Sequence, residues 1–234
     1  MSEPASYKTP HLILKLVLGI PITIAFFWGF LWAGGGLGWT RGWGLLGVMF
    51  VGETLRAVYT ARAQPEMAKR RGEVGEGTPT WDKLWLTVFS LVIGAVFVVA
   101  ALDGGRYQWA PLPAWWFGPG LVAYVLYLFG LGWAMAQNPH FEKSVRVQSD
   151  RGHRVIDTGP YAWIRHPGYL ATFFGFGLAP PLMLGSGWGL VVALALLIWL
   201  IVRTALEDRF LQRELPGYAD YAQRVRYRLF PGIW

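Results

Sequence analysis

Long apolar stretches alternate with short polar connections along this chain. The apolar stretches cover residues 12–33, 42–60, 84–102, 114–136, 169–185 and 188–206. A helix needs about 20 apolar residues to cross the hydrocarbon core of a bilayer, with about 17 as the lower limit. The stretch 169–185 is marginal, because Pro180 and Pro181 interrupt it near its end. The pattern predicts an all-α integral membrane protein, a bundle of about five to six transmembrane helices.

The C-terminal third of the chain has its own pattern. Gly185, Ser186 and Gly187 separate the last two apolar stretches, which predicts that the last two helices form a helical hairpin. Between residues 206 and 227, apolar and aromatic positions alternate with Arg and Glu. This spacing predicts an amphipathic helix, interrupted at Pro216 and Gly217, that docks under the bundle.

Composition supports a membrane location. The 234 residues are 54% hydrophobic and 15% charged, whereas soluble domains carry about 25% charged residues. Cysteine is absent, which excludes disulfides, thiolate metal sites and cysteine nucleophiles, and the four His lack a zinc-binding spacing, so no metal is predicted. We expect one integrated domain with N-terminal transmembrane helices (1–136) and a catalytic, cofactor-binding region (137–234).

The net charge of +7 follows the connections between the apolar stretches. Lys and Arg concentrate in 61–83, in 137–168 and after residue 203, whereas the intervening connections carry only Arg41 and Arg106. The positive-inside rule then places both termini in the cytoplasm and argues against nucleic-acid binding. The first apolar stretch exceeds the usual length of a signal-peptide core, so an uncleaved span is favoured over a cleaved signal peptide.

The segment His153–Tyr169, HRVIDTGPYAWIRHPGY, concentrates polar and rigid residues beside the membrane. Pro is favoured at the first position of a helix, so Pro167 predicts the start of the fifth helix. Its free N–H groups beside Arg165 could bind a carboxylate. Alternatively, Arg165 contacts lipid phosphates and His166 caps the helix.

Aromatic residues follow the turn Thr158-Gly159-Pro160-Tyr161 in the same segment. The rings of Tyr161 and Trp163 could line a pocket for a sulfonium or ammonium ion, or they could anchor the chain at the interface.

Three polar residues at helix ends are further candidates. Glu207 and Asp208 end the last apolar stretch, where acids oppose the helix dipole. Glu207 could pair with Arg203, four residues earlier, or the two acids could hold a ligand. Asn138 could bond a ligand or a neighbouring helix, or it could end the fourth helix together with Pro139.

Together these residues form the pattern H-x-V-I-x-T-G-P-Y-x-x-x-R-H-P-x-Y, followed by E-D-x-x-L, Y-x-x-Y and a later Pro. Residues 138–231 resemble the isoprenylcysteine carboxyl methyltransferase family, and related phospholipid N-methyltransferases share much of the pattern. The matching residues are Asn138, His153, Gly159, Pro160, Tyr161, Arg165, His166, Pro167, Tyr169, Glu207, Tyr218 and Tyr221. The first four apolar stretches resemble the family only in hydropathy.

The resemblance implies S-adenosylmethionine as methyl donor, in a cytoplasm-facing pocket that the last two helices and the tail enclose. It also implies a lipid or lipidated substrate that enters from the bilayer. The family often has Glu where this chain has Asp208, which puts a direct role for Asp208 in doubt and favours Glu207.

These residues are then assigned as a hypothesis. Arg165 and the helix start at Pro167 would bind the methionyl carboxylate, and Glu207 would bind the amino or ribose groups. Asn138 would polarise the acceptor or fix the loop. The residues expected to shape the pocket are Tyr161, His153, His166, Gly159, Pro160 and Tyr169.

The substrate and the reaction class remain open from the sequence. Carboxyl O-methylation is expected first, and phospholipid N-methylation, a nicotinamide-dependent sterol-type reductase and a non-catalytic lipid-binding protein are alternatives. The Arg, Ala, Gly and Leu content suggests a GC-rich bacterium and therefore its inner membrane.

Overall fold

A computed structural model describes residues 24–70, 80–148 and 152–234, and within these ranges the chain is helical, with no β-strand. The beginning of the first apolar stretch lies outside the described residues. The helices are α1 (Ile24–Ala33), α2 (Thr40–Ala63), α3 (Pro65–Arg70), α4 (Thr80–Ala101), α5 (Phe117–Gln137), α6 (Pro167–Thr172), α7 (Ala179–Leu184), α8 (Gly187–Glu214) and α9 (Tyr218–Arg224).

Three helical stretches of the described chain are long and apolar enough to cross a membrane. They are Asp82–Tyr107, Ala114–Gln137 and Gly187–Glu214. Helix α2 has 24 residues but carries Glu53 and Arg56 in its second half, and it is not among the three. An apolar helical membrane protein is therefore confirmed, whereas the number of spans stays a prediction.

The fifth apolar stretch begins as the sequence predicts, with Pro167 at the first position of α6. A π-helical segment, Phe173–Leu178, follows α6 directly and leads into α7. A Cβ atom on Gly175 would lie 2.3 Å from the Tyr127 ring. Only glycine therefore lets α5 approach this segment so closely.

The buried carboxylate of Asp103 links neighbouring segments at the end of the molecule where α7 meets α8. Gly185 has a φ of +78°, and the Ser186 side chain caps α8 by accepting from the Gly189 N–H. Asp103 is fully buried and accepts hydrogen bonds from the Ser186 hydroxyl (2.6 Å) and the Ala110 N–H (2.7 Å). This carboxylate fixes the α7–α8 turn to the connection after α4.

Helix α5 packs against α2, α6 and α7, while α8 packs against α4 and the π-helical segment. Beyond α8 the chain breaks at Pro216 and Gly217, as the sequence predicts, and α9 follows. Its apolar face packs in a separate small cluster of Leu215, Tyr218, Tyr221 and Val225. The tail is thus held against the end of the bundle opposite Asp103.

Candidate functional site

Asp208 is the centre of the polar network at this end of the bundle. The residue is fully buried, and its carboxylate lies between the start of α6, helix α8 and the tail. Its hydrogen-bond donors are Arg165 (2.7 and 2.8 Å), Arg228 (2.9 Å), Gln212 (2.9 Å) and Tyr218 (3.1 Å). Two guanidinium groups thus offset the unfavourable position of an acid near a helix C-terminus. A direct role of Asp208 toward a ligand stays untested, while the structure shows this residue joining the start of α6 to the tail.

The guanidinium nitrogens of Arg165 all donate hydrogen bonds to acceptors within the protein. Nε and Nη2 donate to the two Asp208 oxygens, and Nη1 donates to the carbonyls of Val225 (2.7 Å) and Arg226 (3.0 Å). Burial alone would lower the pKa of Arg165, but its hydrogen bonds to Asp208 raise it, so the group stays cationic. The predicted binding of a methionyl carboxylate stays untested. In this conformation each nitrogen already has an acceptor, and the geometry favours a positioning role for Arg165.

The tail covers the start of α6. The backbone N–H of Arg165 donates to the Tyr227 carbonyl and that of His166 to the Arg228 carbonyl, both at 2.9 Å. Pro167 is buried, and the His166 side chain makes no capping hydrogen bond. The predicted helix start therefore faces the tail, and His166 occupies the N-cap position of α6 through its backbone.

Glu207, the neighbour of Asp208, is only partly buried, with 21% of its side chain exposed. It accepts a hydrogen bond from the Tyr169 hydroxyl, which in turn accepts one from Arg203 Nε at 2.7 Å. Arg203 pairs with Asp82 (2.6 Å), a buried residue at the start of α4. The sequence offered Arg203 as a simple surface partner of Glu207. The structure instead connects them through Tyr169, and the Glu207 side chain stays partly exposed.

His166 lies between the two acids. Its Nε2 is 3.4 Å from Asp208 Oδ1, and its Nδ1 is 4.0 Å from Glu207 Oε1. The His166 ring stacks on Tyr169, with centroids 5.8 Å apart and planes inclined by 10°. The His166 ring, the Tyr169 ring and the Glu207 carboxylate are thus neighbours.

The turn at Gly159 brings Tyr161 to the end of α5. Gly159 has a φ of +60°, the left-handed region that favours glycine. Asn138 donates to the Tyr161 hydroxyl (3.3 Å) and accepts from the His140 N–H (2.8 Å), and Tyr221 donates to the Tyr161 carbonyl (2.7 Å). Burial raises the pKa of Tyr161, which keeps its hydroxyl protonated. Asn138 therefore both ends α5 and orients Tyr161, and Pro160 is buried beside it.

His153 contacts residues of the preceding loop rather than the Asp208 network. Its ring lies against His140, with centroids 4.4 Å apart, and its Nδ1 accepts from the Gln148 N–H at 3.2 Å. Burial and the neighbouring His140 lower the pKa of His153 to about 4. Its role as a pocket residue stays a prediction, while the structure shows it packed against His140 and hydrogen-bonded to Gln148.

A cleft of about 560 Å³ opens beside the Asp208 network. Arg165, Gln212, Ala222, Arg226, Arg228 and Trp234 are among its lining residues. Glu207, Tyr169 and His166 are not part of this lining, although His166 touches the same carboxylate as Arg165. Among the described residues, no group of three or more His, Cys, Asp or Glu is placed to hold a metal ion.

Sequence reasoning missed several residues of the site, among them Asp82, Gln212 and Arg228. An acid at the start of an apolar stretch was the only available signal for Asp82. No motif marks Gln212 or Arg228, whose contacts depend on how α8 and the tail are oriented.

Comparison with known proteins finds a family whose model matches part of the chain. Residues 121–213 match the model of the family described as isoprenylcysteine carboxyl methyltransferase (ICMT). A solved structure titled as the eukaryotic intramembrane Ras methyltransferase ICMT, without a monobody, matches with a TM-score of 0.52. That match has 19% identity and covers 78% of this chain and 63% of that one. At this identity the match shows the fold.

Curated relatives carry other names. The cobalt-zinc-cadmium resistance protein CzcN of Cupriavidus metallidurans is 32% identical over 131 residues, 55% of this chain and 56% of that protein. The nickel-cobalt-cadmium resistance protein NccN of Alcaligenes xylosoxydans xylosoxydans is 28% identical over 146 residues, 61% of each. The lamin-B receptor of Drosophila melanogaster is 28% identical over 102 residues, 42% of this chain and 14% of that protein. The chain thus matches less than two thirds of each relative's length.

Proposed function

We propose that this chain is an integral membrane methyltransferase dependent on S-adenosylmethionine. Its residues 121–213 match the model of the isoprenylcysteine carboxyl methyltransferase family. One observation carries the proposal. The two halves of the family pattern, Arg165-His166-Pro167 and Glu207-Asp208, meet through the Arg165–Asp208 ion pair. They meet where the tail closes over the start of α6, next to an open cleft.

The residues present fit the cationic and hydroxylated parts of that cofactor. Glu207 offers a partly exposed carboxylate beside the stacked rings of His166 and Tyr169. Carboxylates accept from ammonium or ribose hydroxyl groups, and aromatic faces favour a neighbouring sulfonium. One turn before Asp208, the Thr204 hydroxyl is fully buried and has no hydrogen-bond partner among the described residues. Such a group is a further candidate to meet a ligand.

The cofactor carboxylate needs a cation with free donors. Because Arg165 is engaged by Asp208 and the tail, we assign it to holding the pocket walls together. Arg226 is exposed and lines the cleft beside the Asp208 network, which Arg165 also lines and Glu207 does not. Its guanidinium has no partner in the described chain, so we propose it as the group that binds the carboxylate.

When bound, S-adenosylmethionine would supply a methyl group from its sulfonium, whose sulfur keeps the electron pair of the broken sulfur–methyl bond and leaves as a neutral thioether. The protein's part is then to align the acceptor and exclude water. A carboxylate acceptor is ionised at neutral pH and needs no base. An amine or hydroxyl acceptor would have to give up a proton, and Glu207 is the partly exposed carboxylate placed to accept it.

The acceptor we propose is a lipid or lipidated molecule that enters laterally from the bilayer and is methylated on a carboxyl group. We place the site on the cytoplasmic face of a bacterial inner membrane. Phospholipid N-methylation is the alternative within the same chemistry. The names of the two metal-resistance relatives specify no acceptor.

Calorimetry of S-adenosylmethionine binding to the full chain in detergent tests the proposal. We expect binding by the wild type and a loss of roughly 1.5–3 kcal/mol in Glu207→Ala and in Arg226→Ala, as for hydrogen bonds to charged groups. Arg224→Ala is the matched control, since Arg224 pairs with Asp157 at the surface. Arg165→Ala should weaken binding as well, but with a lower unfolding temperature. Binding of NADPH with no binding of S-adenosylmethionine would support a reductase and overturn the proposal.

A further inference from the structure

A second groove lies on the other side of Gln212. It has a volume of about 710 Å³ and is lined by Trp85, Leu206, Arg209, Phe210, Gln212 and Arg213. One wall is apolar and aromatic, and two guanidinium groups one helical turn apart stand beside it. Gln212 lines both this groove and the cleft next to Asp208.

The groove exists because α8 extends past α4. Arg203 pairs with Asp82, and Trp199 packs on Trp85 with ring centroids 3.6 Å apart. Helix α4 begins at Thr80, so the part of α8 after residue 205 runs beyond these pairs. Helix α4 therefore leaves the side of α8 that carries Leu206 and Phe210 open, and Leu206 is 36% exposed.

The depth of the groove matches the headgroup layer of a bilayer. Trp188, half exposed at the start of α8, suits the opposite interface. Arg209 follows 21 residues later, or roughly 32 Å along the helix at about 1.5 Å per residue. The hydrocarbon core is about 30 Å thick. With Trp188 at one interface and α8 upright in the bilayer, the two Arg would lie just beyond the hydrocarbon, at the level of lipid phosphates.

The charges of the groove are available to a ligand. Arg209 and Arg213 are exposed, and neither has a hydrogen-bond or ion-pair partner among the described residues. These two guanidinium groups complement an anionic headgroup, and the apolar wall beside them complements an acyl chain attached to it. We propose that this groove binds one anionic phospholipid, with its phosphate on Arg209 and Arg213 and an acyl chain along Trp85, Leu206 and Phe210.

Native mass spectrometry of the full chain in detergent, titrated with dioleoyl phosphatidylglycerol and dioleoyl phosphatidylcholine, tests the proposal. The wild type is expected to bind the first phosphatidylglycerol about tenfold more tightly than phosphatidylcholine. Arg209→Gln with Arg213→Gln should remove that preference and leave phosphatidylcholine binding unchanged. Phe210→Ala keeps both charges and should weaken both lipids.

The matched control is Arg154→Gln with Arg224→Gln, which removes the same charge from exposed positions outside the groove. It should change the affinity for phosphatidylglycerol less than twofold. An equal loss in both double variants would show diffuse attraction to the basic surface and overturn the proposal. So would displacement of the lipid by millimolar glycerol phosphate, since the groove would then bind phosphate rather than a lipid.

Discussion

Arg165 and Asp208, 43 residues apart, form a two-pronged buried ion pair, with Nε 2.7 Å from Oδ1 and Nη2 2.8 Å from Oδ2. The pair fastens the start of α6 to the end of α8. Because Arg165 also donates to the carbonyls of Val225 and Arg226, the same guanidinium holds the tail. One pair thus fixes three segments around the candidate site.

Replacement of Asp208 by Asn should strongly destabilise the protein. The variant leaves Arg165 buried without its counter-charge, and breaking a buried pair from one side costs about 3–5 kcal/mol. At roughly 2–4 °C per kcal/mol for a chain of this size, the unfolding midpoint in detergent should fall by about 6–20 °C.

Asp157→Asn is the control for this variant. Asp157 pairs with Arg224 at the surface, where the two side chains are 50% and 63% exposed. Such pairs contribute about 0–1 kcal/mol, so the midpoint should change little. Similar shifts of the unfolding midpoint in the two variants would show that the Arg165–Asp208 pair contributes no more to stability than an exposed pair.

Tyr169 should affect cofactor binding through Glu207. Its hydroxyl links Glu207 to Arg203, so Tyr169→Phe leaves the carboxylate less firmly oriented. We expect S-adenosylmethionine affinity to fall by about 0.5–1.5 kcal/mol in this variant. In a Glu207→Gln background, Tyr169→Phe should have little additional effect. Additive losses in the double-mutant cycle would mean that Tyr169 acts independently of Glu207.

His153 should make stability depend on pH. Its pKa is lowered to about 4 in the folded protein, by burial and by His140, against about 6.5 for an exposed His. The unfolded chain therefore binds more protons between these values. The free energy of unfolding is therefore highest, as far as His153 determines it, above pH 6.5. It decreases as the pH falls from 6.5 towards 4.

His153→Gln retains an acceptor for the Gln148 N–H but does not titrate. Unfolding midpoints of this variant should fall less steeply than those of the wild type between pH 6.5 and 4.5. Parallel curves for the two proteins would exclude His153 as the source of the pH dependence.

Local signals in the sequence predicted two of the helix boundaries. The stiffness of Pro167 predicted the start of α6, and Pro216 with Gly217 predicted the break before α9. The sequence also pointed to Arg165, Glu207 and Tyr169 as members of one site, through the family resemblance. Side-chain chemistry at helix ends is informative because few residue types fit there.

The partners of these residues could not be predicted. Glu207 and Asp208 are neighbours about 100° apart on α8, so the rotation of the helix decides which of them is buried. The pairing of Arg203 with Asp82 spans 121 residues, and no periodicity specifies it. The donors of Arg165 are engaged because the tail passes over it, and that path depends on the packing of α9.

Transfer of a labelled methyl group tests the central claim most directly. Purified full chain would be incubated with S-adenosylmethionine carrying a labelled methyl group and with a total bacterial membrane lipid extract. Glu207→Ala, checked for an unchanged unfolding midpoint, would be run in parallel. We predict label in a lipid product with the wild type and a large loss of it in the variant. If the wild type binds S-adenosylmethionine but transfers no label, or if the variant transfers as much, the site described here is not a methyltransferase site for membrane lipids.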